Sequence, residues 1–320
     1  MSTCDAAAAT RHTPAMEDIY RRMLTSAAAQ GRFVQRPSRR LVHVVTAGDG
    51  PPLVHLHGTN TSSLSHLMLP GLMPGTRSHL VDRPGCGLSD PDSFRPGHFR
   101  EYAVEFVGDV LDALGLDSGL LVGASGGGAW ATWFALAHPE RVRGLVMLGS
   151  VPTLPGGLAP LPLRLAATPV IGDLMVRGLK PGRRTLVKMM ESVGEAETIV
   201  RHPDLLESLV AGARDPVARQ SNLAELRALM SLRGFRASMR FRREELRRLT
   251  VPTLMIWGDR DPVVPLAEAQ VIAAEIPDAR LEVLPAGHVP QLGHPDRVAA
   301  LLTDFAVDDL TGGHRRRSGP

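Results

Sequence analysis

Seven short apolar runs closed off by Gly or Pro, interleaved with stretches of helical periodicity, limit what this chain can fold into. They lie at 41–45, 53–56, 79–81, 120–122, 145–148, 253–257 and 281–284. Runs this short, bounded by turn residues, read as buried strands. Between them, residues 102–114 place Val104, Val107, Val110, Leu111 and Leu114 on one helical face, and 129–137 and 266–276 read as further helices. Strands alternating with helices need crossover connections, hence a mostly parallel sheet with helices on both faces.

One stretch breaks this rhythm. From 151 to 249 the pattern is helical and no strand is evident. Pro152, Pro155, Gly156, Gly157, Pro160 and Pro162 punctuate its start. Leu205, Leu206, Leu209 and Val210 form one amphipathic set, and Leu223, Leu226, Leu229 and Met230 another. The expected organisation is a partly disordered N-terminal extension over 1–30, a core built from 31–150 and 241–310, a helical insertion over 151–240, and a disordered tail over 311–320.

Composition closes off several function classes. Apolar residues are 43% of the 320, enough for a large core, while aromatics are only 4%. Leu, Val, Ala and Met must therefore do most of the packing. The formal charge is +3, and the arginines form no dense stripe interleaved with aromatics, so no nucleic-acid partner is expected. Cys4 and Cys86 make no disulfide framework. No basic, then apolar, leader pattern opens the chain. The apolar stretch 157–176 is broken by Pro160, Pro162, Arg164, Pro169 and Asp173, so no stable membrane insertion is expected. The cytoplasm is the expected compartment, and nothing specifies an oligomeric state.

The chemistry concentrates at Gly123-Ala124-Ser125-Gly126-Gly127-Gly128, between the run 120–122 and the helix 129–137. G-x-S-x-G between strand and helix makes a nucleophile elbow, whose turn is too tight for bulk two residues either side of the serine. A phosphate-binding loop is the competing reading, but no Lys-Ser or Lys-Thr follows. A serine hydroxyl needs a base, and histidine has the matching pKa. Of twelve histidines, His288 stands just beyond the strand 281–284, where parallel sheets build their sites. The base needs a carboxylate, and Asp259 and Asp261 both follow the strand 253–257. Asp261 is preferred because Asp-Pro favours a defined turn. Developing oxyanion charge needs donors. The N–H of Gly126 is one, and Thr59, after Gly58, offers the second, although its hydroxyl would also suit a helix cap. His57 reads as a buried histidine bracing that loop.

Taken together, Gly50-Pro51-Pro52, His57-Gly58, Asp82-Arg83-Pro84-Gly85-Cys86-Gly87-Leu88-Ser89, the elbow, 258–262 and Gly287-His288 resemble the α/β-hydrolase superfamily, in its lid-bearing serine esterase, C–C hydrolase and haloperoxidase-like branch. The likeness runs in family order from about residue 40 to 306. It implies an α/β-hydrolase fold with an eight-stranded sheet, an α-helical lid over 151–240, and no cofactor or metal. It also implies Asp261 rather than Asp259, and the chain order Ser125, Asp261, His288 agrees with it. Epoxide hydrolases and haloalkane dehalogenases carry aspartate where this chain has Ser125. Gly293 stands where the family commonly has an acidic residue.

The expected function is hydrolysis of a small-molecule carboxylic ester, or a related acyl or C–C bond, through Ser125, His288 and Asp261. Alternatives are a lyase or acyltransferase on the same residues, a non-catalytic small-molecule binder, and an interfacial lipase. Leu158, Leu161, Leu163, Leu165, Met175, Met189 and Met190 suggest an apolar pocket and substrate, though packing of the lid helices is the simpler account of any one of them. Arg177, Arg183 and Arg184 either meet an acidic group or are simply solvated.

Overall fold

The computed structural model describes residues 13–95, 97–149, 161–178 and 181–311. Its strands are β1 (Gln30–Gln35), β2 (Leu41–Ala47), β3 (Pro52–Leu56), β4 (Arg77–Val81), β5 (Gly119–Ala124), β6 (Val142–Leu148), β7 (Met230–Ser231), β8 (Gly234–Phe235), β9 (Thr253–Gly258) and β10 (Ala279–Leu284). Eight form one sheet in the order β1-β2-β4-β3-β5-β6-β9-β10. β2 runs antiparallel to β1 and β4, and the remaining neighbours are parallel.

Two apolar layers cover the sheet because its central strands are apolar on both sides. Val54 and Leu56 face one cluster, with Leu121, Met147 and Trp257. Leu53, Leu120, Val122, Val146 and Ile256 face the other. The first layer is covered by α2 (Phe99–Leu114) and α3 (Gly126–Ala137), packed through Phe106, Val110, Trp133 and Phe134.

The insertion leaves after β6. Its described helices are α4 (Leu161–Ala166), α5 (Pro169–Gly178), α6 (Arg183–Glu191), α7 (Ala196–Val200), α8 (Pro203–Arg214) and α9 (Pro216–Leu229). The chain then returns through the hairpin β7–β8, α10 (Arg243–Leu246), α11 (Leu266–Glu275), α12 (Pro290–Gly293) and α13 (Pro295–Thr311). Val298, Leu302 and Phe305 of α13 cover the second layer.

The structure departs from the sequence reading at three places. The hairpin β7–β8 lies where only helix was expected, and two-residue strands leave no periodicity to detect. β1 lay within no apolar run, because it is an edge strand in which only Val34 is buried. The run 281–284, read as buried, is also an edge strand, mostly half-exposed or exposed, with only Leu284 buried. Of the extension over 1–30, residues 1–12 lie outside the described residues. The rest is organised: a helix, α1 (Pro14–Ser26), packs Met16 and Ile19 among Leu205, Leu206 and Leu209 of the lid. Met16, Ile19, Tyr20 and Met23 follow the helical period, but no strand or motif beside them marks where they dock.

One approach fixes the centre of the sheet. A β-carbon at Gly127 would stand 2.5 Å from His57 O and closer still to Leu56 O; one at Gly123 would stand 2.5 Å from Gly128 Cα. Only glycine lets α3 come this near β3 and β5. Gly127→Ala is therefore expected to lower stability by about 2 kcal/mol or more, the upper range for overpacking. Gly71→Ala, with open space around it, should change the urea midpoint little. Equal midpoints in the two variants would refute the close-approach argument.

Candidate active site

The carboxyl ends of β3, β5, β6, β9 and β10 converge, as expected where an open α/β sheet builds its site. Ser125 follows β5 with φ 48° and ψ −123°, a conformation that costs a non-glycine residue about 1–3 kcal/mol. Its own N–H is held by Leu148 O of β6 at 3.0 Å, and the serine sits at the N-terminus of α3. Gly58 lies against it: a β-carbon there would be 3.1 Å from Ser125 Cβ.

The structure brings Ser125, His288 and Asp261 together. Ser125 Oγ is 2.9 Å from His288 Nε2, and His288 Nδ1 is 2.9 Å from Asp261 Oδ2. Both His288 and Asp261 are buried. The other carboxylate oxygen, Oδ1, accepts the N–H groups of Val263 and Val264 at 2.8 and 3.0 Å. Trp257 Nε1 donates to Val264 O and braces the same turn. Asp259 is not part of this arrangement; it is exposed and 3.4 Å from Arg260. Gly149, with φ 49°, allows the end of β6 to pass His288 closely.

Thr59 and Gly126 also meet. A β-carbon on Gly126 would stand 2.6 Å from Thr59 Oγ1 and 3.6 Å from Thr59 N. The loop carrying Thr59 is tied down by His57, whose Nε2 accepts the N–H of Arg83 at 3.0 Å. That bond leaves Nδ1 protonated, to donate to Gly58 O at 2.7 Å.

Sequence reasoning missed the lid's part in this site. Glu225 of α9 reaches to 3.7 Å from the same Gly126 position. It is buried and paired with the buried Arg83 at 2.5 Å, and the Arg83 guanidinium lies over Trp130. Asn222, one turn earlier, accepts the N–H of Asn60 through its side-chain oxygen at 3.2 Å. The amphipathic pattern of 223–230 marks the helix, but nothing in it shows that its polar face looks into a site.

Of the insertion's apolar side chains, read as lining a pocket or packing its helices, several pack. Met190 is buried with Leu186, Ile199 and Leu205, and Leu163 packs against Ala167, Leu226, Met230 and Phe235. Leu161 and Met189 are exposed, and Leu165 and Met175 are half-buried. Arg183 and Arg184 are exposed. Leu158 and the side chain of Arg177 lie outside the described residues. No described helix is long and apolar enough to cross a membrane.

Residues 53–301, spanning this whole constellation, match the family model described as the alpha/beta hydrolase family. The chain belongs to the α/β-hydrolase family. Among curated relatives, this hydrolase is 30% identical over 269 residues to the 2-hydroxymuconate semialdehyde hydrolase of Pseudomonas putida, covering 82% of this chain and 89% of the relative. It is also 30% identical over 277 residues to the pimeloyl-[acyl-carrier protein] methyl ester esterase of Aeromonas hydrophila, covering 82% and 98%. In fold it resembles the carboxylesterase CesB of Bacillus subtilis, with TM-score 0.70, 23% identity, and 93% and 97% of the two chains covered. The relatives thus include C–C hydrolases and carboxylic esterases.

Behind the Thr59 loop the hydrolase buries an unusual set of histidines. Burial, with Arg83 nearby, pushes His57 down to about 3. Burial likewise pushes His66 and His79 down to about 4 and lowers His55, whose Nδ1 is 3.2 Å from that of His66. All four are neutral in the fold at pH 7, whereas an unfolded histidine titrates near 6.5. Below that pH the unfolded chain binds more protons. The stabilisation is therefore complete above about 6.5 and is lost as pH falls toward the folded values, by at most about 1.4 kcal/mol per pH unit per histidine. The melting temperature is expected to drop by more than about 5 °C between pH 7 and pH 5. A flat melting profile across that interval would mean that these imidazoles are not held neutral.

Proposed function

We propose that this α/β-hydrolase is a serine hydrolase cleaving a small-molecule carboxylic ester, with Ser125 as nucleophile, His288 as general base and Asp261 orienting it. The observation that carries the reading is the unbroken hydrogen-bonded relay from Ser125 Oγ through His288 to Asp261, with the serine held in a strained turn. Asp261, fixed by two backbone N–H groups, orients the imidazole and favours the tautomer with the proton on Nδ1, leaving Nε2 to accept.

In the first half-reaction Ser125 Oγ bonds to the ester carbon as its proton passes to His288 Nε2. The oxyanion forms against the N–H groups of Thr59 and Gly126. The charge of Glu225 beside those donors is offset by Arg83, so a developing negative charge does not face an unpaired carboxylate. His288 then returns the proton to the departing alcohol. In the second half, water loses a proton to His288 and attacks the acyl carbon, and Ser125 regains its hydrogen as the acid leaves. We take the substrate to be small and largely apolar, held between the lid and these strand ends. A cytoplasmic setting belongs to the same proposal.

Hydrolysis of a carbon–carbon bond is the second reading, favoured by the 30% identity to 2-hydroxymuconate semialdehyde hydrolase. A p-nitrophenyl ester series from acetate to octanoate, with Ser125→Ala alongside, tests the first. Turnover should fall by at least about 10⁴-fold in Ser125→Ala and by roughly 10³–10⁴ in Asp261→Asn, as when a triad member is lost. Asp259→Asn should stay within about twofold, as an exposed substitution does. Ser125→Ala matching wild type would refute the nucleophile. A kcat/KM for 2-hydroxymuconate semialdehyde more than about tenfold above the best ester would favour carbon–carbon cleavage by differential transition-state binding.

A further inference from the structure

The loop that carries His288 is gripped from the lid by a single turn between α6 and α7. Two consecutive backbone N–H groups of the loop, those of His288 and Val289, donate into Val193-Gly194-Glu195. His288 N–H donates to Val193 O at 2.9 Å. Val289 N–H donates to Glu195 Oε1 at 3.2 Å, and the Gly287 backbone and Thr198 lie near the same carboxylate and favour its charged form. The fit is close enough to dictate sequence on both sides. A β-carbon at Gly287 would stand 2.7 Å from Val193 O, 2.7 Å from Gly194 O and 2.8 Å from Glu195 Oε1. Gly194 has φ 77°, and a β-carbon there would meet Gly287 Cα at 3.1 Å. Glu195 itself is 2% exposed. Burial raises its pKa, against the opposing pull of the Thr198, Val289 and Gly287 bonds and the nearby His288.

A carboxylate buried this deeply is expensive unless its acceptor sites are used, and here one is used on the residue next to the imidazole. A shift of the loop by a fraction of an ångström would lengthen the Ser125–His288 bond, and proton transfer is sensitive to that geometry.

We propose that Glu195 is a positioning residue for His288, clamping the Val289 N–H and packing tightly against Gly287 so that the lid sets the aim of the imidazole at Ser125. This rests on the reading of His288 as the base. Val193 and Glu195 bind the loop by two donors, so the base holds its place only while the lid turn holds its own. The lid in this chain therefore acts on the proton-transfer step as well as on what is admitted.

An alkyl fluorophosphonate tests this without a known substrate. Ser125 Oγ bonds to phosphorus, the P–F bond breaks, fluoride leaves, and the serine proton passes to His288. Wild type, Glu195→Gln, Glu195→Ala and His288→Ala are each labelled over a concentration series to separate kinact from KI. Circular dichroism melts show which variants are folded. Glu195→Ala should lose about tenfold in kinact with KI within about twofold, and Glu195→Gln, which keeps one acceptor oxygen, should fall between it and wild type. Glu195→Gln keeps the shape of the native side chain, so its kinact decides the matter should Glu195→Ala fail to fold. Wild-type kinact in the folded glutamate variants, with His288→Ala unreactive, overturns the role of Glu195 alone. His288→Ala labelling as fast as wild type overturns this proposal together with the base it rests on.

Discussion

The contact of α3 with the carbonyls of Leu56 and His57 is the constraint from which the site follows. A helix entering after a parallel strand normally keeps a side chain's distance from the neighbouring strand. Here Gly123 and Gly127 remove that distance, and the chain must turn within one residue, Ser125, at positive φ. The strain falls on the residue whose hydroxyl has to stand clear of the sheet. The same approach sets Gly58 against Ser125 and Thr59 against Gly126. Bringing two strands and one helix together thus defines the serine and both candidate oxyanion donors in one packing event.

A second layer of interactions keeps that packing in register. Asp82, fully buried at the end of β4, accepts from Tyr20 Oη, the N–H groups of Ser63 and Leu88, and His43 Nδ1. Burial works against its ionisation, yet the His43 bond and charge, with the Ser63 N–H, hold its pKa below the ordinary value. These donors come from α1, β2 and the loops after β3 and β4. One carboxylate therefore joins the N-terminal helix to the loops flanking the candidate oxyanion donors. A buried charge satisfied by several donors from different elements favours one arrangement over near alternatives.

What was legible in the sequence was what local chemistry and period can encode. The glycines about Ser125, the Asp-Pro turn and His288 at a strand end each needed only neighbouring residues to be read. The eight-stranded fold came from the resemblance and from central strands apolar on both faces. β1 and β10 carried weak or misleading signals because edge strands are half-solvated, so Arg32 and Glu282 interrupt what a central strand would keep apolar. Glu195 and Glu225 were invisible for another reason. One stands in a short turn among other acids and the other on a helix, and the role of each comes from partners 94 and 142 positions away in the chain. No periodicity records a contact of that separation. Only Gly287, whose missing side chain makes room for the lid, left a trace of one.

The Arg83–Glu225 pair has a consequence for how such an enzyme can diversify. A helical insertion that enters at one point of a sheet looks like a cassette, exchangeable without its host. In this chain the cassette holds one half of a buried ion pair and the scaffold the other. Transplanting a foreign lid that lacks the acid would strand an arginine beneath it, a penalty of about 3–5 kcal/mol when a buried pair loses one member. That is a large part of a domain's net stability. Evolutionary exchange of this segment must therefore pass through paired change at 83 and 225, which ties an otherwise modular part to its own host.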